Sequence, residues 1–300
     1  MLKIWQITFL GSILNKNYIF TVTNGRSGQA TLHKILQENA INCISGFEEP
    51  SIKPIFPFFI GDLEKKIRRR FFESNELLGR GNIIKAYENK NYEYIKKTSI
   101  KRLKLINKQL RESNANCYFD ISKFYIRGLY KGFNFFLKNL SIVFLVRDPL
   151  ENMKSFLNRN KNFFLDNSSP LATSNILNLD CKSFSKGELY LWSWAETFLR
   201  YQELSKKKKI KKSLVFYSED LKYPDKVSTL LKRLGVEHKK IKQIKRINTN
   251  EQLGLNRTKV ETKDLLLLKE FIFKIPKKHK LLIRKLELSL NKNKKKYNIF

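Results

Sequence analysis

The sequence is poor in the residues that build metal sites and disulfide frameworks. Its 300 residues include three cysteines and three histidines, and they form no CxxC, HxH or HExxH pattern. Cys43, Cys117 and Cys181 are far apart along the chain, so we expect neither a disulfide framework nor a zinc site. We therefore expect chemistry that does not depend on a metal ion.

Long apolar runs are lacking as well. The first segment, MLKIWQITFLGSIL, includes Lys3 and Gln6, and it is shorter than the roughly 18 apolar residues that mark a membrane-spanning helix. It also lacks the small-residue cleavage site of a secretory signal. We expect this segment to pack on the domain as a strand or short helix, and the protein to be cytoplasmic, without a transmembrane segment.

Acidic residues are few compared with basic ones. The chain has 60 Lys and Arg against 27 Asp and Glu, a formal net charge of +33. Such a field attracts polyanions and phosphorylated ligands. Biased codon usage is the other explanation, because Lys, Asn, Ile and Phe are abundant together. Runs such as KKKKIKK (206–212) and NKNKKK (291–296) are then solvated surface or tail.

The order of the apolar patterns predicts the fold class. Residues 140–146, LSIVFLV, are apolar except for Ser141, as expected for a parallel strand that is buried on both faces. Four other runs also have the character of strands: 19–23, 41–45, 117–122 and 213–217. Helical patterns lie between them, most clearly over 188–204. This alternation predicts a three-layer α/β/α fold with a central parallel sheet.

No internal repeat or Pro/Ser-rich linker divides the chain, so we expect a single domain over residues 1–300. The lysine-rich stretch at about 50–115 is helical in tendency and has no strong strand. We expect it to be an insertion over one edge of the sheet. From about residue 262 we expect a basic C-terminal helix and tail.

The segment TNGRSGQATL joins the first predicted strand to a helix. Gly25 and Gly28 permit backbone conformations and a close approach that side chains would block. The N–H groups at the start of the helix would favour an anion, and Arg26, Ser27 and Thr31 add a charge and two hydroxyls. The lysine of a Walker A loop is missing, so we do not expect triphosphate hydrolysis of that type. A purely structural turn remains an alternative.

The segment FLVRDPLENMKS follows the clearest strand. Arg147 comes just past the strand's carboxyl end, where parallel sheets bind ligands. Asp148 is placed as a helix N-cap, Pro149 at the first helical position and Glu151 at the capping-box position. Ser155 follows two turns later. An arginine fork and a hydroxyl together suit a phosphate monoester, although a surface arginine beside a capped helix would look similar.

These two segments resemble the nucleotide-binding motifs of the PAPS-dependent sulfotransferases, where PAPS is 3′-phosphoadenosine 5′-phosphosulfate. Arg147 and Ser155 have the eight-residue separation of the family's 3′-phosphate pair. Two further segments resemble family patterns in the same order along the chain. CYFDISKFYI (117–126) is similar to the YFEKSPxY segment of glycan-type members, and LVFYSEDLKYPDKVSTLLKRLGV (214–236) resembles a stretch that begins with YEDL. The match covers less than half of the chain.

The resemblance implies a P-loop-NTPase-like sulfotransferase fold. It also implies transfer of a sulfuryl group from PAPS to a hydroxyl or amine of a glycan or small molecule, with no metal. The implied PAPS-binding residues are Arg26, Ser27, Gly28, Gln29, Ala30, Thr31, Arg147 and Ser155. Gln29 and Ala30 replace two threonines of the family loop, and the lysine of YFEKSP is replaced by Ile121, with Lys123 two residues later.

Three residues are candidates for the general base that takes the acceptor's proton. By the resemblance, Glu49 stands after the second strand where family members place an acidic residue or histidine, and Asp120 stands at the glutamate of YFEKSP. His33 is near the loop, although its helix position also suits packing. Arg26 would stabilise charge on the leaving oxygen. Arg257 is the candidate to close over the 3′-phosphate from a later loop, with Lys259 as its alternative.

Two other functions keep the same fold. One is a non-catalytic basic α/β module that binds nucleotide, nucleic acid or an acidic partner. No helix-turn-helix, zinc-finger or RNA-recognition pattern supports specific nucleic-acid binding. The other is a P-loop-like kinase, which the missing Walker lysine and the lack of a DxD-type metal motif disfavour. The acceptor itself is not indicated by any residue pattern.

Overall fold

The protein is represented by a computed structural model, which describes residues 16–47, 75–158, 169–244, 252 and 259–297. Five strands form one all-parallel sheet in the order β2-β3-β1-β4-β5. They are β1 (Asn17–Val22), β2 (Cys43–Gly46), β3 (Cys117–Asp120), β4 (Leu140–Val146) and β5 (Ile210–Tyr217). The predicted α/β fold with a parallel sheet is confirmed. The strand over 140–146 has the predicted bounds.

Helices cover both faces of the sheet. In chain order, those within the described residues are α1 (Gln29–Asn39), α2 (Asn82–Glu88), α3 (Tyr92–Glu112), α4 (Leu129–Phe136), α5 (Pro149–Leu157), α6 (Lys186–Ser205), α7 (Pro224–Leu234), α8 (Thr262–Lys274) and α9 (Lys280–Tyr297). Short 3₁₀ turns lie at Asn75–Leu78, Tyr125–Arg127 and Ser218–Lys222. The helical pattern over 188–204 therefore corresponds to α6, and the expected C-terminal helix corresponds to α8 and α9.

Alternate side chains of the strands enter two separate cores. Tyr18, Phe20 and Val22 of β1 join the core that contains α3, α4 and α6. Ile19 joins the other core, against α1 and α7. Successive strand residues point to opposite faces, and here both faces are apolar. This explains why the strands have near-continuous apolar runs rather than an alternating pattern.

Helix α3 lies across a face of the sheet rather than over its edge. Its Ile95, Leu103 and Ile106 are buried in the core beneath β1, and the hydroxyl of Tyr18 donates a 2.6 Å hydrogen bond to Asn107 Oδ1. The helix is the crossover between the parallel neighbours β2 and β3. Residues 50–74 of the expected insertion, and the apolar segment before residue 16, lie outside the described residues.

Two cysteines that are distant in the sequence are neighbours in the sheet. Cys43 and Cys117 are paired in the β2–β3 register, and their Sγ atoms are 3.0 Å apart as free thiols. The hydrogen bond with Cys43 and, after it, burial raise the pKa of the Cys117 thiol. Cys43 and Cys117 are neighbours although they are distant along the chain, because parallel pairing brings together strands that a long crossover separates.

The strand order creates a crevice between β1 and β4. After β1 the chain turns towards the β2–β3 side of the sheet, whereas after β4 it turns towards β5. Adjacent strands whose connections diverge leave a crevice at their carboxyl ends, which is the usual ligand site of open α/β sheets. The segments that follow Val22 and Val146 border this crevice.

Within the described ranges, none of the helices combines the length and apolar character needed to cross a membrane.

Candidate functional site

The loop after β1 has an unusual backbone. Gly25 has φ 85°, Arg26 has φ 54° and Gly28 has φ 85°. Gly28 is the N-cap of α1 with no side-chain cap, and the first turn of the helix contains no acidic residue. The hydroxyl of Ser27 is held inside the turn by a 3.1 Å hydrogen bond to the Gly25 carbonyl. The first N–H groups of α1 are thus not capped by a side chain, and no acidic residue lies beside them. Such a helix N-terminus favours an anion.

Helix α5 begins as predicted after β4. Asp148 is its N-cap and accepts hydrogen bonds from the N–H groups of Leu150 (3.1 Å) and Glu151 (3.2 Å), with proline at the start of the helix. Arg147 projects across the crevice, and its Nη1 donates a 3.3 Å hydrogen bond to the carbonyl of Arg26. The two sequence segments that predicted a phosphate site are therefore in direct contact.

Asn152 locks the two segments together. Its side chain is fully buried. Its Nδ2 donates to the Gly25 carbonyl at 3.0 Å, and its Oδ1 accepts from the hydroxyl of Tyr190 on α6 at 2.5 Å. Ser155 is buried one turn further along α5, on the side of the helix that Asn152 presents to the loop. Asn152 was not among the site residues predicted from the sequence, although it lies inside the segment FLVRDPLENMKS.

The side chain of Gln29 does not face the crevice. Its Nε2 donates a 2.7 Å hydrogen bond to the carbonyl of Ile121 after β3, so this residue holds the loop against the neighbouring strand. Ala30 is half-buried and Thr31 is buried. Gln29 and Ala30 therefore offer a ligand their backbone N–H groups rather than polar side chains.

Gly28 is constrained by packing as well as by its backbone. A Cβ at this position would lie 2.3 Å from Leu221 Cδ1, in the 3₁₀ turn after β5. A larger residue would therefore disturb the loop whether or not a ligand binds. A substitution at Gly28 cannot separate a binding role from a folding role.

Lys123 approaches the loop from β3. A Cβ added to Gly25 would lie 3.1 Å from Lys123 Cδ and 3.8 Å from its Nζ. The ammonium group of Lys123, two residues after the position of the YFEKSP lysine, thus lies beside the first glycine of the loop. Two buried hydroxyls at the same edge, Thr23 Oγ1 and Ser122 Oγ, have no hydrogen-bond partner. Buried polar groups without partners are rare in native proteins. Here the two hydroxyls lie at the same edge of the sheet as the ammonium group of Lys123.

Asp120 is occupied by other protein groups. It is 1% exposed and forms a short buried ion pair with Arg102 of α3. Its Oδ1 accepts from the Ser122 N–H at 2.8 Å, and Oδ2 also lies within 3.4 Å of the Tyr118 hydroxyl. These contacts brace the turn that leads to Lys123, and they leave the carboxylate enclosed by donors.

His33 packs at the carboxyl end of β2. Its Nδ1 lies 2.7 Å from Ser45 Oγ, and its ring stacks on Phe47 with centroids 5.2 Å apart. Burial lowers the pKa of His33, which favours the neutral form of the imidazole. Of the other predicted site residues, Glu49 and Arg257 lie outside the described residues.

Glu151 does not complete the expected capping box but faces basic groups. Its Oε2 is 3.8 Å from Arg147 Nε, and its Oε1 accepts a hydrogen bond from Lys296 of α9. Burial works against ionisation, but Lys296, Arg147 and Lys292 together lower the pKa of Glu151. Asp148, bonded by Ser289 of α9 at 2.7 Å, has its pKa raised mainly by burial.

The segment after Arg257 is anchored beside Ser155. Lys154 forms ion pairs with Glu261 at 3.3 Å and with Asp264 at 3.0 Å. Lys259, the alternative to Arg257, is exposed. The chain therefore returns to helix α5 immediately after the loop that was predicted to close the site.

No protein-family model matches this sequence, and a search of curated proteins finds no significant match. Across the ranges that the structure describes, no group of three or more His, Cys, Asp or Glu side chains could hold a metal ion.

Proposed function

We propose that the protein is a PAPS-dependent sulfotransferase with a P-loop-like fold. The observation that carries the proposal is the contact of Arg147 with the carbonyl of Arg26 at the crevice between β1 and β4. It joins the two segments that resemble the family's two nucleotide-binding motifs. The local pattern of the loop after β1 does not require it to contact the segment after β4, so their contact is independent support for the proposal.

The chemistry of the donors fits such a nucleotide. The uncapped start of α1 offers N–H groups for a 5′-phosphosulfate, and Arg26 and Lys123 offer positive charge beside them. Arg147 and buried Ser155 offer a guanidinium and a hydroxyl for a 3′-phosphate. Thr23 and Ser122 supply hydroxyls that have no partner in the protein. A substrate carrying two separate anionic groups suits this arrangement better than AMP does.

PAPS, when bound, supplies the sulfuryl group. The acceptor oxygen or nitrogen forms a bond to sulfur while the bond from sulfur to the bridging oxygen breaks, and that oxygen leaves with the electron pair on adenosine 3′,5′-bisphosphate. Arg26 and Lys123 stabilise the charge that develops there. A base takes the acceptor's proton, and Glu49 remains our first candidate for it.

Asp120 is better suited to positioning than to proton transfer, because Arg102 and the Ser122 N–H already occupy it. We propose that Asp120 holds the turn that carries Lys123, and we retain neutral His33 as the second candidate base.

The proposal is tested by calorimetric titration with adenosine 3′,5′-bisphosphate and with AMP. We expect the bisphosphate to bind much more tightly, because only it reaches Arg147 and Ser155. Arg147→Ala should weaken bisphosphate binding by about two orders of magnitude, as for loss of a charge-assisted contact, and should change AMP binding little. Equal affinities for the two nucleotides in the wild-type protein would refute the proposal.

A further inference from the structure

A bulge in the β4–β5 ladder brings two lysines to one place. Leu140 pairs with Ile210 and Ser141 pairs with Lys212, so Lys211 is an extra residue between two ladder pairs. Bulges re-aim side chains, are frequent next to functional sites and are rare between parallel strands. Lys211 and Lys212 are the last two residues of the run KKKKIKK, and this run takes no part in the candidate nucleotide site.

The bulge borders a cavity of about 460 Å³ at the amino ends of β1, β4 and β5. This is the opposite end of the sheet from Arg26 and Arg147. Lys16, Lys211 and Lys212 line the cavity together with Ser141, and no Asp or Glu is among the described residues that line it. The volume is within the range of small-molecule pockets, roughly 300–1,000 Å³.

Ser141 is a polar group without a protein partner in this cavity wall. The residue is 1% exposed, and its Oγ has no hydrogen-bond partner. β4 is otherwise apolar, so the hydroxyl is not part of a polar network in its own strand. A buried hydroxyl that lines a cavity and has no partner is available to donate to a ligand.

Two of the cavity lysines, Lys16 and Lys212, donate hydrogen bonds to neutral groups of the protein. Lys16 Nζ donates to the Ala115 carbonyl at 2.9 Å and to Asn116 Oδ1 at 2.6 Å, and Lys212 Nζ donates to the Arg233 carbonyl at 2.5 Å. These acceptors are neutral. An ammonium group has three donors, so each lysine can hold its carbonyl and still meet an anionic oxygen.

We infer that this cavity binds a small molecule that carries phosphate or sulfate groups. The Ser141 hydroxyl donates to one anionic oxygen, and Lys211 and Lys212 supply positive charge on the bulged side. The site is independent of the proposed sulfotransferase activity, because none of its residues belongs to the crevice between β1 and β4.

The test is calorimetric titration with inorganic pyrophosphate at about 150 mM salt, where long-range attraction is screened. Ser141→Ala and Lys211→Gln should each weaken binding by about five- to tenfold, as for one charge-assisted hydrogen bond. Both should leave binding of adenosine 3′,5′-bisphosphate unchanged. Lys208→Gln is the matched control, because it removes the same charge from the same lysine run outside the cavity.

Three results would overturn the inference: no pyrophosphate or sulfate binding, equal affinity in the wild-type and both cavity variants, or equal losses in Lys208→Gln and Lys211→Gln. A parallel titration with inorganic sulfate at matched ionic strength shows which group is preferred. Urea unfolding provides a further check, because Ser141→Ala removes a hydroxyl without a partner and should not lower stability. Weaker binding together with lower stability in this variant would show that the hydroxyl is structural and would also overturn the inference.

Discussion

At the scale of single residues, the loop after β1 obtains its positive charge from outside the helix that follows it. A Walker A loop carries its lysine at the start of that helix. Here Arg26 is inside the loop, and Lys123, in the turn after β3, lies beside Gly25. In our proposal, side chains that follow two different strands supply the positive charge that one lysine supplies in the better-known loop.

Lys123→Met is expected to weaken binding of adenosine 3′,5′-bisphosphate about tenfold, because one partly exposed charge-assisted contact to the 5′-phosphate is lost. The matched control is Lys34→Met on α1. Lys34 has a side chain that is 44% exposed and lies 3.7 Å from Glu38, so affinity should stay within twofold. Calorimetry measures both variants. If the two affinities fall equally, Lys123 acts only through the general charge of the protein.

At the scale of elements, helix α3 is coupled to the site through a buried ion pair. Arg102 also donates to the Leu77 carbonyl at 2.6 Å, while Asp120 ends β3 and holds the Ser122 N–H. The pair therefore connects the crossover helix, the 3₁₀ turn before α2 and the strand that leads to Lys123. We expect the main role of this ion pair to be fixing the position of α3 relative to the sheet.

Arg102→Met should lower the free energy of unfolding by about 3–5 kcal/mol, because it leaves a buried carboxylate uncompensated. The double variant Arg102→Met/Asp120→Leu should recover part of this loss, since it removes both charges. Urea denaturation measures these values. Lys96→Met, which breaks an exposed pair with Glu93, should change stability by no more than about 0.5 kcal/mol. A double variant less stable than Arg102→Met would contradict this account.

At the scale of the whole molecule, the net charge of +33 is a separate property from the proposed nucleotide site. A field of this size attracts any polyanion, and such binding weakens steeply as salt increases. Binding at the proposed site, by contrast, should depend on Arg147 and on the geometry of the α1 loop. Binding of nucleic acid alone would therefore not favour the alternative of a basic binding module over an enzyme.

Random single-stranded oligonucleotide should bind at low salt and lose most of its affinity by about 150 mM salt. Arg147→Ala should leave this binding nearly unchanged, because it removes one of 60 basic residues, while it strongly reduces bisphosphate binding. Fluorescence anisotropy across a salt series measures the first effect. Tight oligonucleotide binding at about 150 mM salt that Arg147→Ala abolishes would favour the basic-module alternative.

Local pattern was sufficient for the type and order of most elements and for a few of their ends. Residues 140–146 form a strand with the predicted bounds because apolar side chains are needed on both faces of a central strand. Asp148 and Pro149 start α5 as predicted because capping depends on neighbouring N–H groups. Helix and strand order followed from periodicity, and with it the α/β class. The eight-residue separation of Arg147 and Ser155 could also be read directly from the sequence.

Contacts between distant segments depended on the order of strands in the sheet. Lys123 meets Gly25, Asn152 bridges Gly25 and Tyr190, and Cys43 meets Cys117, although each pair belongs to different elements. The cavity beside Ser141 likewise needs β1, β4 and β5 to be neighbours and a bulge to shift Lys211. Side-chain periodicity reports which face of an element is buried, but only the packing of the sheet and its crossovers determines which residues meet there.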